Sequence, residues 1–232
     1  MLLASLSGTL FLYQGQEIGM TNHPTTWTPS DLRDVDSLNY LADIASRYPD
    51  DEEMKKRAWA AICAIGRDNA RTPVQWTGDE GTSAGFTDEG VQPWMRVNEN
   101  FDAINVAAQI GIKDSVLGMW QRMIALRKAE PALFVHGRYE VVDPEGEDTI
   151  VFVKHEVVEG EESERVAVVA LNFKEERKRF QMPDVVKGKS MEVVIENGSG
   201  VGQRAEEELE LGPWEGRVYV EKKVMPAAGL LG

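Results

Sequence analysis

The residues most able to do chemistry are two arginines, Arg67 and Arg71, in the run RDNARTPVQW at 67–76. Side chains four positions apart share a face wherever the local turn is helical, and Pro73 directs the chain out of any helix at the residue before it. Two guanidinium groups can donate paired hydrogen bonds to hydroxyl or carboxylate oxygens, which a lysine ammonium does less well. The alternative is structural: both arginines form a salt-bridge cluster with Asp68.

A second polar set follows an apolar run at residues 10–13. The run is short and does not alternate, which is typical of a strand buried on both faces of a parallel sheet. Polar groups behind such a strand are typical of an active-site rim, because loops at strand C-termini carry the ligand contacts in α/β folds. The alternative is a core strand followed by an ordinary polar loop. The polar residues are Gln14, Gln16, Glu17 and Asn22.

Composition restricts the class of protein. The chain has 232 residues, of which 42% are hydrophobic and 28% charged, as in soluble proteins of one large or two modest domains. Its formal net charge of −14 argues against a nucleic-acid or anionic-membrane partner, since both bind a basic face. Cys63 is the only cysteine, and the N-terminal apolar residues carry no basic segment typical of a signal peptide. We therefore predict a cytoplasmic protein; the glycosylation sequon at Asn197 is a weak signal.

Helical periodicity predicts the elements that position the polar residues. Asp50 to Glu53 place negative charge at a helix start, Gly66 ends that helix, and Pro131 ends a later one. The segments 22–49 and 77–108 are rich in Gly, Pro, Asn and Trp and predict long loops, the first with a short helical piece. Helices are predicted at residues 1–6, 38–47, 50–65 and 115–130.

From Phe134 onward the hydrophobic period changes to two. Several short strands without an intervening helix predict an antiparallel β-sandwich, in which Tyr139 and Phe152 are core residues. The predicted domains are 1–133, an α/β part, and 134–232, an all-β part. The predicted strands are 139–143, 149–154, 165–173, 178–182, 191–195 and 216–221.

Several blocks resemble glycoside hydrolase family 13 α-glucosidases, the oligo-1,6-glucosidase, isomaltase and maltase group. The run GTLFLYQGQEIGM at 8–20 resembles the family's last barrel strand, and 67–76 resembles its RDxxRTPxxW block. Further matches are AGF at 84–86, PW at 93–94, INV at 104–106, LNF at 171–173 and PWEGRVY at 213–219, all in the family's order. The resemblance implies the C-terminal end of an (α/β)8 TIM barrel followed by an antiparallel β-sandwich.

The departures from the family concern catalysis. In the family the nucleophilic Asp, the acid/base Glu and a second stabilising Asp lie on strands before the one at 10–13, and none of their motifs occurs here. A retaining mechanism needs two carboxyl groups about 5–5.5 Å apart. Glu17 has no partner carboxylate on a neighbouring strand, and its position is not catalytic in the family. We therefore predict no catalytic residue in this chain.

The resemblance does assign part of a substrate pocket. By position, Arg67 resembles the arginine that hydrogen-bonds the non-reducing glucose at the base of the −1 subsite. Asp36 falls where the family has an acidic residue bordering the +1 subsite, and Arg71 is predicted to orient this region through Asp36. The predicted substrate-binding residues are thus Arg67, Arg71 and Asp36, with no metal site and no cofactor.

The expected function is that of a C-terminal fragment of an α-glucosidase acting with retention on maltose- or isomaltose-like substrates, the fragment alone being inactive. Two alternatives stay open: a non-catalytic carbohydrate-binding or regulatory protein built on the β domain, and one half of a split enzyme. The preference for α-1,4 or α-1,6 bonds also stays open, because in the family it follows a residue just after the nucleophile.

Overall fold

The computed structural model describes residues 1–142, 149–198 and 208–222. By internal contacts the chain divides into two compact units. The first, here called the sheet unit, comprises residues 1–11 and 119–232; the second, the helical unit, comprises residues 12–118. The predicted domain boundary at residues 133 and 134 stays a prediction about the fold of the parent enzyme.

The helices begin and end where local signals place them. Asp34 and Asp51 each precede a helix and accept the backbone N–H of a residue three positions on, which satisfies an otherwise unpaired helix-start donor. Gly66 ends the second of these helices, where a Cβ would lie 2.6 Å from the carbonyl oxygen of Ile62. The α-helices are α1 (Leu2–Ser5), α2 (Val35–Arg47), α3 (Glu52–Ile65), α4 (Val106–Gln109), α5 (Val116–Ala129) and α6 (Pro131–Phe134).

The sheet unit contains two antiparallel sheets among its described residues. One has five strands in the order β1-β2-β3-β7-β5, and the other pairs β4 with β6. In the larger sheet Val168 of the central strand lies opposite Val153 on one side and Tyr219 on the other. The strands are β1 (Arg138–Val141), β2 (Thr149–Val158), β3 (Glu161–Asn172), β4 (Lys178–Gln181), β5 (Met191–Glu196), β6 (Glu208–Leu211) and β7 (Gly216–Glu221).

Both faces of the five-stranded sheet are covered by apolar side chains. On one face Val166, Val168 and Ala170 of β3 pack in a cluster with Phe180 and Leu209 from the smaller sheet. The alternate β3 residues Ala167, Val169 and Leu171 pack on the other face in a cluster with the helical residues Ala4, Trp120, Met123, Leu133 and Phe134. This explains why β3 reads as a continuous apolar run and does not alternate.

The antiparallel all-β part was predicted correctly, but three details were wrong. β6 (Glu208–Leu211), whose two leucines are buried, was not among the predicted strands. Tyr139 is not a core residue, since half of it is exposed, whereas Phe152 is buried as predicted. The predicted strand at residues 10–13 is also absent. Ser199 of the glycosylation sequon lies outside the described residues.

The missing strand at residues 10–13 has a physical reason. Phe11 is 84% exposed and Tyr13 is 56% exposed, and these residues pair with no strand in the described part of the chain. A parallel strand is stable only when neighbouring strands complete its ladder and other elements cover its faces. The apolar pattern at 10–13 is therefore not sufficient for a strand, because no strand of the described residues completes its ladder.

No helix in the described ranges combines the length and the apolar character that a membrane crossing requires.

Two buried cations are found among the described residues of the sheet unit. Arg127 donates to the carbonyl oxygens of Leu6 at 2.6 Å and Phe134 at 2.5 Å, and also to those of Ala4 and Gly8. Lys154, which is fully buried, donates to the carbonyl oxygen of Gly137 at 3.1 Å and to the Ser7 hydroxyl. Burial, and secondarily the charge of Arg127, lowers the pKa of Lys154 to about 8. The ammonium is therefore held by neutral oxygens at a cost in stability.

We predict that the stability of the sheet unit rises with pH because of Lys154. Between pH 8 and 10.5, the pKa of Lys154 in the unfolded chain, Lys154 is protonated in the unfolded chain and largely neutral in the folded one. The free energy of unfolding therefore increases with pH across this window, by at most about 3 kcal/mol. Below pH 8 the cost is fully present. Urea unfolding of the wild type and of Lys154→Met, at steps of pH from 7 to 10, measures the difference.

The exposed Lys187 supplies the control. Lys187→Met should keep the wild-type pH dependence, whereas Lys154→Met should flatten it. Identical slopes for the wild type and Lys154→Met would contradict the assignment of the shifted proton to Lys154.

Candidate functional site

The arginine block begins with a short 3₁₀ helix, Arg67–Ala70, directly after Gly66. Its anchor is Asp68, which is 1% exposed. One carboxylate oxygen of Asp68 accepts the backbone N–H groups of Arg33 at 2.7 Å and Asp34 at 2.8 Å, and the other accepts Nη1 of Arg71 at 3.1 Å. Asp68 thereby fixes the start of α2 against the turn that carries Arg67 and Arg71.

Asp34 is the second buried carboxylate of the site. Its Oδ2 accepts the backbone N–H and the hydroxyl of Ser37, and its Oδ1 lies 3.4 Å from Nη1 of Arg71. The hydrogen bond from the Ser37 hydroxyl is the largest of the effects that hold the pKa of Asp34 below its usual value, and the charge of Arg71 acts in the same direction. Asp34 therefore stays ionised, caps α2 and holds the Arg71 guanidinium in place.

Arg67 and Asp36 form an ion pair of a different kind. Nη1 of Arg67 lies 3.6 Å from Oδ2 of Asp36, and the two side chains are 70% and 81% exposed. An exposed ion pair at this distance contributes little to stability. Both groups are consequently accessible to a ligand, on a backbone that Asp68 and Asp34 hold rigid.

The structure corrects the predicted role of Arg71. Arg71 was expected to act through Asp36, but its ion pairs are with Asp34 and Asp68, and Asp36 faces Arg67 instead. The reason is geometric. Residues 34 and 36 lie on opposite sides of the first turn of α2, so only Asp34 faces the buried side where Arg71 lies.

Amide side chains hold the segments on either side of the turn. Asn69 accepts the backbone N–H of His23 at 3.0 Å and donates to the carbonyl oxygen of Cys63 at 2.9 Å. Asn22 donates to the carbonyl oxygens of Cys63 and Ala64 and so satisfies the end of α3. These contacts place the segment at 22–23 beside the arginine turn.

The tyrosine at the end of the 10–13 segment also contacts the turn. The Tyr13 hydroxyl donates to the carbonyl oxygen of Ala70 at 2.7 Å.

The second half of the arginine block is fixed by Gln75. Its side chain is fully buried and donates to the carbonyl oxygen of Ile104 at 2.5 Å and to Asn100 at 3.2 Å. The backbone carbonyl oxygen of Gln75 accepts the backbone N–H of Val106, so the block at 67–76 and the INV run at 104–106 are joined directly.

The arrangement can bind hydroxyl or carboxylate oxygens. Glu17 lies in a short 3₁₀ helix, Gln16–Ile18, and its Oε2 is buried without a hydrogen-bond partner. The described residues contain no cluster of three His, Cys, Asp or Glu side chains that could hold a metal ion. A guanidinium and a carboxylate side by side can donate to and accept from adjacent hydroxyl groups, which is the chemistry of sugar recognition.

Sequence reasoning missed Asp34 and assigned Asp68 only to the structural alternative. The spacing of Asp34 and Ser37 is an N-cap signal that could have placed α2 three residues earlier than predicted. The contact from Asp68 to the backbone of residue 33 spans 35 positions, and no local pattern marks it.

Comparison with known proteins identifies the family. The sequence profile described as alpha amylase, catalytic domain, matches residues 1–137, which is more than half of the chain. The chain belongs to the alpha-amylase family. The match includes the whole arginine block and ends at residue 137, directly before β1.

Curated relatives within the alpha-amylase family are glucosidases. The chain is 36% identical over 223 residues to the alpha-glucosidase of Candida albicans and 37% identical over 221 residues to the oligo-1,6-glucosidase of Parageobacillus thermoglucosidasius. These alignments cover 95% and 94% of this chain but only 36% of each relative. The chain thus corresponds to a C-terminal part of these enzymes.

Solved structures of family members agree in fold. The trehalulose synthase MutB of Pseudomonas mesoacidophila superposes with a TM-score of 0.79 at 31% identity, over 95% of this chain and 37% of that enzyme. A variant of MutB crystallised in complex with glucose gives the same TM-score at 32% identity.

We predict that Asp68 and Asp36 contribute very differently to stability. Asp68→Ala leaves two backbone N–H groups and a guanidinium without their acceptor, and should lower the free energy of unfolding by about 3 kcal/mol. Asp36→Ala removes an exposed charge and should change it by less than about 0.5 kcal/mol. Urea unfolding followed by tryptophan fluorescence measures both. Equal effects of the two substitutions would show that Asp68 is not the anchor.

Proposed function

We propose that this chain is the C-terminal part of an α-glucosidase that hydrolyses terminal, non-reducing α-linked glucose from maltose- or isomaltose-like oligosaccharides with retention. The observation that carries the proposal is the exposed Arg67–Asp36 pair on a turn anchored by buried carboxylates. The identity to alpha-glucosidases and oligo-1,6-glucosidases supports the substrate class. A MutB variant crystallised in complex with the substrate sucrose shows an α-glucoside bound by a family member.

In this proposal each site residue has a separate role. The Arg67 guanidinium donates to hydroxyl oxygens of the glucose in the −1 subsite, because a planar fork can bind two adjacent oxygens. Asp36 accepts from a hydroxyl of the sugar in the +1 subsite. Arg71 contacts no sugar; it is a positioning residue that, with Asp68, fixes the turn from which Arg67 extends.

Chemistry in the parent enzyme would come from residues outside this sequence. Retaining hydrolysis uses one carboxylate as nucleophile and one carboxylic acid as acid/base, and the family's motifs for both do not occur here. The parent therefore brings its catalytic strands to the sugar that Arg67 and Asp36 hold. A split enzyme, in which a second chain supplies those strands, uses the same residues in the same roles.

We predict that the purified chain alone does not hydrolyse maltose, isomaltose or p-nitrophenyl α-glucoside. Without the two carboxyl groups, the rate enhancement of many orders of magnitude typical of enzymes has no source. Release of glucose or p-nitrophenol above a buffer blank measures this. Turnover that survives repurification and disappears in Glu17→Gln would overturn the prediction and make Glu17 catalytic.

We predict a loss of transition-state binding when Arg67 is removed from the complete enzyme. In the parent enzyme, or in a fusion of this chain to the N-terminal part of a glucosidase relative, Arg67→Ala should lower kcat/KM by about one to two orders of magnitude. This corresponds to one charged hydrogen bond of about 1.5–3 kcal/mol. Arg67→Lys should recover little of the loss, because a point charge does not reproduce the fork.

Asp36→Ala provides the contrast in the same enzyme. Because Asp36 is assigned to the +1 subsite, it should lower kcat/KM for maltose more than for an aryl glucoside. Melting temperatures measured on the same preparations separate binding from folding. If Arg67→Ala changes stability alone and leaves kcat/KM of the folded enzyme intact, the pocket assignment fails.

A further inference from the structure

A cavity lies in the helical unit, lined by residues of α2, α3 and the segment at 27–29. Its volume is about 380 Å³, within the range of small-molecule sites. The walls are mainly apolar, and the residues that line them include Leu41 and Ile44 of α2, Trp59 of α3 and Trp27. Neither Arg67 nor Asp36 lines it, so the groove is separate from the candidate sugar site.

Trp27 forms a rigid wall of the groove. The residue is 2% exposed, and its ring stacks on the His23 imidazole with centroids 4.9 Å apart and an angle of 5° between the planes. The Arg96 guanidinium lies 5.5 Å from the same ring. The ring is held in place by these contacts, yet its indole Nε1–H is buried with no hydrogen-bond partner. Because Nε1 has almost no accessible surface, the ring offers the groove an apolar wall and not a donor.

The charge of the groove is opposite to that of the chain. The protein has 39 acidic residues and a formal net charge of −14, but no Asp or Glu lines the groove, whereas Lys55 and Lys56 do. The Lys55 ammonium is occupied by the carbonyl oxygen of Pro49 at 2.6 Å and by Glu52 at 2.7 Å. Lys56 makes no hydrogen bond or ion pair with any described residue, so its ammonium is available to an anion.

We propose that this groove binds a small amphipathic carboxylate, an aromatic or aliphatic monoacid. The apolar body lies between Trp27 and Trp59, and the carboxylate pairs with Lys56. A sugar does not fit, because its hydroxyl groups would lose water against apolar walls without gaining partners. The assignment is independent of the proposed glucosidase function.

The test uses the full chain and two probes with the same apolar body, one ending in a carboxylate and the other in a neutral hydroxyl group. 4-Phenylbutyrate is the anionic probe and 4-phenylbutanol its neutral counterpart, each titrated at pH 7 by calorimetry and by one-dimensional NMR of the indole N–H signals. We expect saturable binding of the acid, about fivefold to tenfold tighter than the alcohol, as for one ion pair of about 1 kcal/mol or slightly more. The acid should also shift the Trp27 indole N–H signal.

Three variants locate the site. Lys56→Gln should reduce the affinity for the acid to that for the alcohol. Its matched control is Arg57→Gln, which removes the same charge from the next position of α3 at an exposed ion pair and should change the affinity less than twofold. Ala45→Phe fills the groove from an exposed position of α2 and should abolish binding of both probes. Circular dichroism checks that each variant is folded.

Each contrary result overturns the proposal. No saturable binding would mean an empty surface groove, and equal affinity for acid and alcohol would mean an apolar groove without anion preference. Binding that survives Ala45→Phe, or that is equally weakened by Lys56→Gln and Arg57→Gln, would lie elsewhere on the chain. Affinity that falls as the protein concentration rises would mean that a second copy of the chain fills the groove.

Discussion

The candidate site depends on one buried carboxylate that accepts three donors. Asp68 receives two backbone N–H groups from the start of α2 and one guanidinium N–H from Arg71. Satisfying all three offsets the cost of burying a charge, which a single partner would not do. Because the contact joins segments 35 positions apart, it converts two loops into one rigid support for the exposed groups above it.

In this turn, one set of side chains holds the backbone rigid and a different set offers exposed hydrogen-bonding groups. The carboxylates of Asp34 and Asp68 are buried and engaged, and Arg71 is shared between them. Arg67 and Asp36 have only each other and water, so their hydrogen-bonding capacity is available for a ligand at little cost in folding energy. Neighbouring positions in the same short segments thus have different roles: Asp34 and Asp68 hold the backbone, and Asp36 and Arg67 are exposed to a ligand. The backbone that carries these groups is already fixed before a ligand binds, which lowers the conformational entropy lost on binding.

Much of this fold could be predicted from local patterns, and the errors have a common cause. α3 followed from the charge at a helix start, and β2 and β7, predicted at 149–154 and 216–221, followed from period-two alternation. The segment at 10–13 has the correct pattern for a strand, but a strand exists only where another strand pairs with it. The partner of Arg71 and the exposure of Tyr139 also depend on contacts between distant segments. Sequence patterns identify which residues need partners; they do not identify the partners.

The buried Arg127 has a consequence for modularity. Its guanidinium donates to the carbonyl oxygens of residues 4, 6 and 8. The first residues of the chain are therefore held against α5, which lies more than a hundred positions later. Ala4, Trp120 and Met123 share one apolar cluster with Val169 of the central strand. The β-sheet part therefore cannot be exchanged between enzymes as a separate module by recombination at residue 134, because it packs against residues that precede this point. A graft that keeps the packing has to carry the opening segment and α5 with it.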